Sequence, residues 1–244
     1  ALCPSHVIVG TAGTVFKYLR EKYIKADDVK IFVVDEADEM VKEASGNAST
    51  QVITIKNKLP KNIQILFFSA TYPPAIETLA KKLVGENAIT MKVKKVSDLI
   101  LDKIFQVKVD CRGRNRVDIL EDVYSYFSIQ QSMVFCKTKK ECDEVARKLQ
   151  ADGFMCSVIH SGIDNADEEF ELFRQNKTKV LISTDVLSRG IDVPTVAIVI
   201  NYDPPRLFDN GATNKANCES YSHRIARCSR MGNPGTAITL ISND

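Results

Sequence analysis

The chain has 244 residues, enough for one large core or two smaller ones, which excludes a disulfide-stapled miniprotein. Its 33 Lys and Arg against 31 Asp and Glu leave a formal charge of +2, so bulk charge drives no nonspecific nucleic-acid binding, and a basic groove would have to be local. No apolar run approaches the roughly 18 residues of a membrane span, and seven cysteines, odd in number and without a Cys-x-x-Cys pair, read as reduced intracellular thiols.

Taken in chain order, short runs rich in β-branched residues recur between helical patterns. Strands are expected at Val7–Val9, Ile31–Val34, Ile63–Phe68, Met133–Cys136, Cys156–Ile159, Val180–Ile182, Val196–Ile200 and Ala237–Ile241. They are continuously apolar, as strands of a parallel sheet are when helices cover both faces. Helices are expected at Thr14–Ile24, Pro74–Leu83, Asn115–Phe127, Thr138–Gln150, Asn165–Arg174 and Glu219–Ala226, with Thr138 and Glu141 forming a capping box. The class is α/β. Between Val84 and Ile104 the text turns polar and lysine-rich, which puts an interdomain linker at 92–103, a first domain at 1–91 and a second at 104–244. With three expected strands against at least five, the first domain is read as incomplete. The opening Ala1-Leu2-Cys3-Pro4 has no initiator Met or targeting segment and reads as cut into a domain; Pro205 to Glu219 reads as a surface loop.

Chemistry concentrates at strand ends. Ile31-Phe32-Val33-Val34 runs into Asp35-Glu36-Ala37-Asp38, and a parallel strand delivers such residues to the crevice where α/β sheets bind ligands. Asp35 is placed to hold Mg²⁺ through water, and Glu36 to orient or deprotonate an attacking water; an acidic helix cap is the plainer reading. Ser69-Ala70-Thr71 follows the next strand, where its hydroxyls either bond the neighbouring acids or cap the following helix. Ser183-Thr184-Asp185 and Ser188-Arg189-Gly190-Ile191-Asp192 suit phosphate and ribose contacts, or a local Asp185–Arg189 ion pair. Arg224, Arg227 and Arg230 recur every third residue, which on a helix keeps them near one face and favours phosphate binding over a solvated basic face. No Gly-x-x-x-x-Gly-Lys-Ser/Thr loop occurs, and Gly10-Thr11-Ala12-Gly13-Thr14 lacks the lysine. Three scattered histidines give no zinc spacing, and Gly-x-Ser-x-Gly is missing.

In this order, Asp35-Glu36-Ala37-Asp38, Ser69-Ala70-Thr71, Val134-Phe135-Cys136-Lys137-Thr138, Ser183-Thr184-Asp185 with Arg189-Gly190-Ile191-Asp192, and His223-Arg224 through Arg230 resemble the DEAD-box ATP-dependent RNA helicases. Gly162, Phe173-Arg174 and the polar insertion before His223 look like the nuclear-pore mRNA-export branch. The resemblance implies two RecA-like domains that use ATP and Mg²⁺ to separate short RNA duplexes and remodel RNA–protein complexes. It implies Asp35 at Mg²⁺, Glu36 at the hydrolytic water, and Asp192, Arg227 and Arg230 at the nucleotide. Asp38, Ser69, Thr71 and His223 would couple that site to domain closure, and Thr11, Gly13 and Thr184 would face RNA.

Partners implied are single-stranded or short duplex RNA and nuclear-pore or export factors, and the implied location is the cytoplasm and nucleus or nuclear pore. The family's upstream adenine-reading motif, phosphate loop and first RNA-contact motif have no counterpart in the 244 residues, as if the first third were missing. Ala12 and Thr14 stand where the family has Pro and Arg. Asp164 through Glu169 lack its Gln and Arg, and Ala226 and Ser229 replace two glycines. Weak or absent ATPase activity is expected, and a non-catalytic RNA- or partner-binding pseudohelicase and another RecA-like translocase are the competing readings.

Overall fold

A computed structural model describes residues 2–42, 47–91, 103–126, 131–185, 193–206, 216–229 and 233–242. The chain divides into two compact units, Ala1–Lys94 and Lys95–Asp244. Among the described residues no helix is long and apolar enough to cross a membrane.

The first unit is built on β1 (Ile31–Val34) and β2 (Gln64–Phe67), paired in parallel with Val33 opposite Leu66. Its helices are α1 (Ala12–Arg20), α2 (Ala37–Lys42), α3 (Asn47–Lys58) and α4 (Pro74–Val84). Strand alternation sends Phe32, Val34 and Phe67 towards the helices, where they meet Val52, Ile76, Leu79 and Leu83. The opposite face carries Ile31, Val33 and Leu66, with Phe68 just beyond the strand, at 36–53% exposure. The expected third strand is not there: Val7 and Val9 are 79% and 93% exposed and lie outside any ladder, since an apolar run forms a strand only where a neighbour accepts its backbone bonds. The expectations missed α2 and α3; α3 is rich in Ser, Thr, Asn and Lys and advertises little apolar periodicity.

The second unit holds a six-stranded, all-parallel sheet: β3 (Ile104–Asp110), β4 (Gln131–Phe135), β5 (Cys156–Ile159), β6 (Val180–Ser183), β7 (Val196–Asn201) and β8 (Gly235–Ile241), in the order β3-β8-β7-β4-β6-β5. Helices α5 (Arg116–Tyr126), α6 (Lys139–Ala151), α7 (Ala166–Arg174) and α8 (Cys218–Ile225) accompany it. Every residue of the central strand β4 and of β6 is buried, and two apolar clusters, one around Val134, Ile182 and Leu149 and one around Phe135, Leu181 and Phe173, occupy the two faces. The Thr138 capping box forms in full: its hydroxyl accepts the Glu141 N–H at 3.2 Å and Glu141 Oε2 accepts the Thr138 N–H at 3.0 Å. Gly235 opens β8 because a Cβ there would stand 2.0 Å from the Cys228 carbonyl oxygen.

Candidate functional site

In the first unit the acids leave β1 into a sharp bend. Asp35 is exposed and its Oδ1 accepts the Glu36 N–H at 2.9 Å, while Glu36 adopts φ +49°, a left-handed conformation that costs a residue with a Cβ roughly 1–2 kcal/mol. The bend is stitched to the end of β2: Phe68 donates its N–H to the Val34 carbonyl at 2.8 Å, and Ala37 donates to the Phe68 carbonyl at 3.1 Å. Those two bonds extend the ladder past the strands and bring two sequence-distant loops to one sheet edge.

There Asp38, 2% exposed in the first turn of α2, takes the Ser69 hydroxyl on Oδ1 at 3.1 Å and the Thr71 hydroxyl on Oδ2 at 3.4 Å. Ser69 Oγ also lies 2.7 Å from the Thr71 carbonyl oxygen, so its one proton is shared between two acceptors. The capping alternative is set aside, because α4 takes Pro73 as its N-cap and has no side-chain cap bond. Asp35, Glu36, Asp38, Ser69 and Thr71 therefore share one edge. Asp35 offers the exposed hard oxygen that Mg²⁺ takes, while Asp38 is committed to hydroxyls. Thr11 is the N-cap of α1, its hydroxyl accepting the Thr14 N–H at 3.4 Å, and Gly13 sits in that helix's first turn.

In the second unit Thr184 follows β6 half-buried, with its carbonyl oxygen accepting the Ser183 hydroxyl at 2.8 Å. Two expectations about the arginines are corrected. The helix ends at Ile225 and passes into a 3-10 turn at Ala226–Cys228, so Arg224 and Arg227 do not share one continuous α-helical face. Arg224 is 1% exposed and donates Nε to Asp185 Oδ1 at 2.6 Å, making it an internal cation rather than a phosphate ligand. Asp185 pairs with Arg224; the alternative Asp185–Arg189 pair falls on Arg189, which lies outside the described residues, as do Asp192, Arg230 and residues 92–102 of the expected linker. Arg227 is 8% exposed and donates Nε to the His223 carbonyl at 3.1 Å, and His223 Nε2 lies 3.9 Å from Glu219 on the same helix.

A second cluster escaped the sequence reading. Connections leave the neighbouring strands β4 and β7 towards opposite edges of the sheet, and at their carboxyl ends opens a cleft of about 280 Å³ lined by Arg116, Lys137, Glu141, Asp203, Arg206 and Arg224. Asp203 binds Arg116 Nη1 at 2.5 Å and accepts the Lys137 N–H at 2.9 Å; Arg116 Nη2 reaches Glu141 at 3.3 Å. Burial works against the Arg116 cation, but the hydrogen bond and charge of Asp203 outweigh it and raise its pKa. Burial likewise pushes the Tyr202 phenol up to about 12, although the Arg116 guanidinium lies 4.2 Å over its ring. The signal that could have found the cluster is Tyr202-Asp203-Pro204-Pro205, a second acid directly after a buried strand. His160, directly after β5, is 6% exposed between Asp143 at 3.1 Å on Nε2 and the Gly162 N–H at 3.1 Å on Nδ1, which leaves its ring proton on Nε2.

Residues 1–79 match the DEAD/DEAH box helicase family, and residues 115–232 match the helicase conserved C-terminal domain. The chain belongs to the DEAD-box helicase family. It is 38% identical over 240 residues to the ATP-dependent RNA helicase DBP5 of Saccharomyces cerevisiae strain ATCC 204508 / S288c, covering 97% of this chain and 48% of that protein, so the chain spans about half the length of the curated relatives it matches. The structure of S. cerevisiae Dbp5 bound to RNA and ADP BeF3 superimposes with a TM-score of 0.85 at 38% identity, over 100% of this chain and 61% of that one. The C-terminal domain of S. cerevisiae Dbp5 L327V bound to Gle1 H337R and IP6 aligns with 57% of this chain and 76% of its own length, at 37% identity and a TM-score of 0.50. These likenesses support the resemblance to the mRNA-export branch and the RecA-like α/β fold of both units.

Proposed function

We propose that the chain carries the later part of an ATP-binding RecA-like domain at 1–91, a linker at 92–103 and an RNA-engaging RecA-like domain at 104–244, and that it serves an ATP-dependent RNA helicase that locally separates duplexes. The observation that supports this most is the Asp38 carboxylate held between the Ser69 and Thr71 hydroxyls on the edge where Asp35 and Glu36 emerge. The hydroxyls belong to a second strand end, so a change at the acids is felt one strand away.

The residues present fit one side of a magnesium–nucleotide site. Asp35 supplies an exposed carboxylate at a strand end and would hold Mg²⁺ through water; Asp192, Arg227 and Arg230 would take the nucleotide. When bound, the ion would neutralise phosphate charge. Glu36 would orient a water. The sequence contains no Gly-x-x-x-x-Gly-Lys-Ser/Thr cradle for the β and γ phosphates, so the purified 244-residue chain is expected to hydrolyse ATP weakly or not at all. Turnover by this chain that disappears in Glu36→Gln would overturn that expectation.

RNA would be held at Thr11, Gly13 and Thr184 through its backbone, with little base specificity. Fluorescence anisotropy with a labelled single-stranded oligoribonucleotide is expected to show affinity that falls steeply between about 50 and 200 mM salt. Export factors are proposed as partners, on the support of the Gle1 complex solved for the Dbp5 C-terminal domain, with the cytoplasm and nuclear pore as the location. A second reading, a non-catalytic RNA- or partner-binding module, is favoured by the missing cradle and by Ala226 and Ser229 beside the arginines. RNA binding that is indifferent to nucleotide and weakened by Arg227→Ala would favour it; undetectable RNA binding would remove the RNA-binding form of both readings.

A further inference from the structure

We propose that Arg224 is a positioning residue, a buried cation that couples the RNA-side strand end at Thr184 to the turn that carries Arg227. The inference rests on the RNA-helicase reading and deepens it, since it assigns how two parts of the second unit report to each other.

One guanidinium ties together elements that are far apart in sequence. Its Nε donates to Asp185 Oδ1 at 2.6 Å, which fixes the residue directly after Thr184 at the end of β6. Its Nη1 donates to Asn201 Oδ1 at 3.2 Å and to the Asp203 carbonyl at 2.7 Å, at the end of β7. Its Cζ stands 5.0 Å from the centroid of the Phe135 ring at the end of β4. Arg224 itself lies in the last turn of α8, three residues before Arg227, whose Nε bonds back to His223 in the same turn. The fork geometry of a guanidinium is what lets one side chain hold three acceptors in fixed directions.

The two ends of the Asp185–Arg224 pair differ in burial. The arginine side chain is 2% exposed and the aspartate 50% exposed, so the cation is locked in the core while its counter-charge lies at the surface, next to a residue on the proposed RNA side. Ser220 Oγ, one turn earlier on α8, adds a second bond to the same Asp185 oxygen at 3.1 Å. A shift of the β6 end must therefore pull on α8 at two points, and through it on the turn with Arg227. The Asn201 amide is in turn anchored by Thr239 Oγ1 at 3.3 Å, and Asp203 by Arg116 and the Lys137 N–H, so the β7 side of the network has little slack.

The test uses the 244-residue chain with a fluorescein-labelled ten-nucleotide oligouridylate. Anisotropy reads affinity, and hydrogen–deuterium exchange reads a peptide spanning 218–229 with and without RNA. RNA is expected to slow exchange in that peptide by about fivefold or more in the wild type. Asp185→Ala is expected to abolish that slowing while keeping RNA affinity within about threefold, and Asp185→Asn, which keeps a neutral acceptor for Nε, to restore part of it. A residue that only anchored the fold would change the melting temperature in these variants and leave the RNA-dependent protection intact. Should Asp185→Ala not fold, Arg224→Lys, whose single ammonium cannot reach all three acceptors, is expected to lose the protection in its place. Wild-type RNA binding with no change at 218–229, or protection that survives Asp185→Ala, overturns the inference. Absence of wild-type RNA binding, read separately from anisotropy, overturns the functional reading and takes the inference with it.

Discussion

The two units use the same kind of strand, a run of four to seven mostly apolar residues in a parallel ladder, and arrive at different degrees of burial. In the second unit β4 and β6 are buried along their full length, because a strand with neighbours on both edges and apolar clusters on both faces has nowhere left to meet water. In the first, among the described residues β1 and β2 pair with no other strand, and Ile31, Val33 and Leu66 stay about one-third to one-half exposed. A strand's own composition sets its propensity; its neighbours set how much of its apolar surface leaves water.

The sharpest way to separate the units is alkaline pH. In the second, hydrogen bonding between Cys136 and Cys142, reinforced by burial, holds the Cys136 thiol well above its ordinary value, and burial pushes Cys156 to about 12 and Cys228 to about 11, against an ordinary thiol value of 9.0. Groups whose folded pKa is raised contribute stability that is complete below the unfolded value and is lost as pH rises towards the folded one. The urea midpoint at which Cys156 and Cys228 become alkylated is therefore expected to fall between pH 8 and pH 10. Below that midpoint, at pH 8, only the exposed Cys3 and Cys218 should react quickly. Rapid labelling of five or more thiols in native buffer would refute the buried core of the second unit.

Next in size is a matched pair of truncations. Leu181→Ala in β6, at 0% exposure, is expected to cost about 2–5 kcal/mol in the unfolding of its unit, while Leu66→Ala in β2, at 36% exposure, costs less than about 1.5 kcal/mol. Equal losses by urea titration, each unit read by its own hydrogen-exchange peptides, would break the comparison. A smaller effect is expected from Asp38→Ala, which removes a carboxylate bonded to two hydroxyls, at about 1.5–3 kcal/mol in the unfolding of the first unit. The smallest is Thr138→Ala, which deletes the capping box of α6 and is expected to cost about 1 kcal/mol. The same thermal melt on a Thr138→Ser variant should show little change, because serine keeps the capping hydroxyl.

Legibility followed how local the cause was. Cys156–Ile159 and Ile31–Val34 could be bounded to the residue because both are short, carry β-branched residues and end at a polar residue, His160 and Asp35. The Thr138 box was legible because both of its partners lie within three residues. Val7–Val9 has the same local composition and forms no strand, for want of a neighbour in the ladder. At the candidate site, Asp35, Glu36 and Asp38 stood out as acids after an apolar run. Their link to Ser69 and Thr71 was one of two readings until the ladder set β1 beside β2. Arg224 misled: a three-residue spacing implied a phosphate-facing row, and no sequence rule says which arginine of a row turns inward to meet a carboxylate 39 residues away.

By itself the sequence determined most of the strands and helices, though not α2, α3 or the fate of Val7–Val9, and it determined that the strands run parallel and which strand ends carry acids, hydroxyls and arginines, because these follow from side-chain shape, periodicity and short-range capping. Only the tertiary structure decided which of those groups meet. It joined Asp38 to two hydroxyls, sealed Arg224 against Asp185, Asn201 and the Asp203 carbonyl, and opened a cleft around Arg116 and Asp203. The reason is that a buried charge takes whatever partner the packed strand ends bring within reach, and that pairing is set by sheet order, which no local stretch of chain encodes.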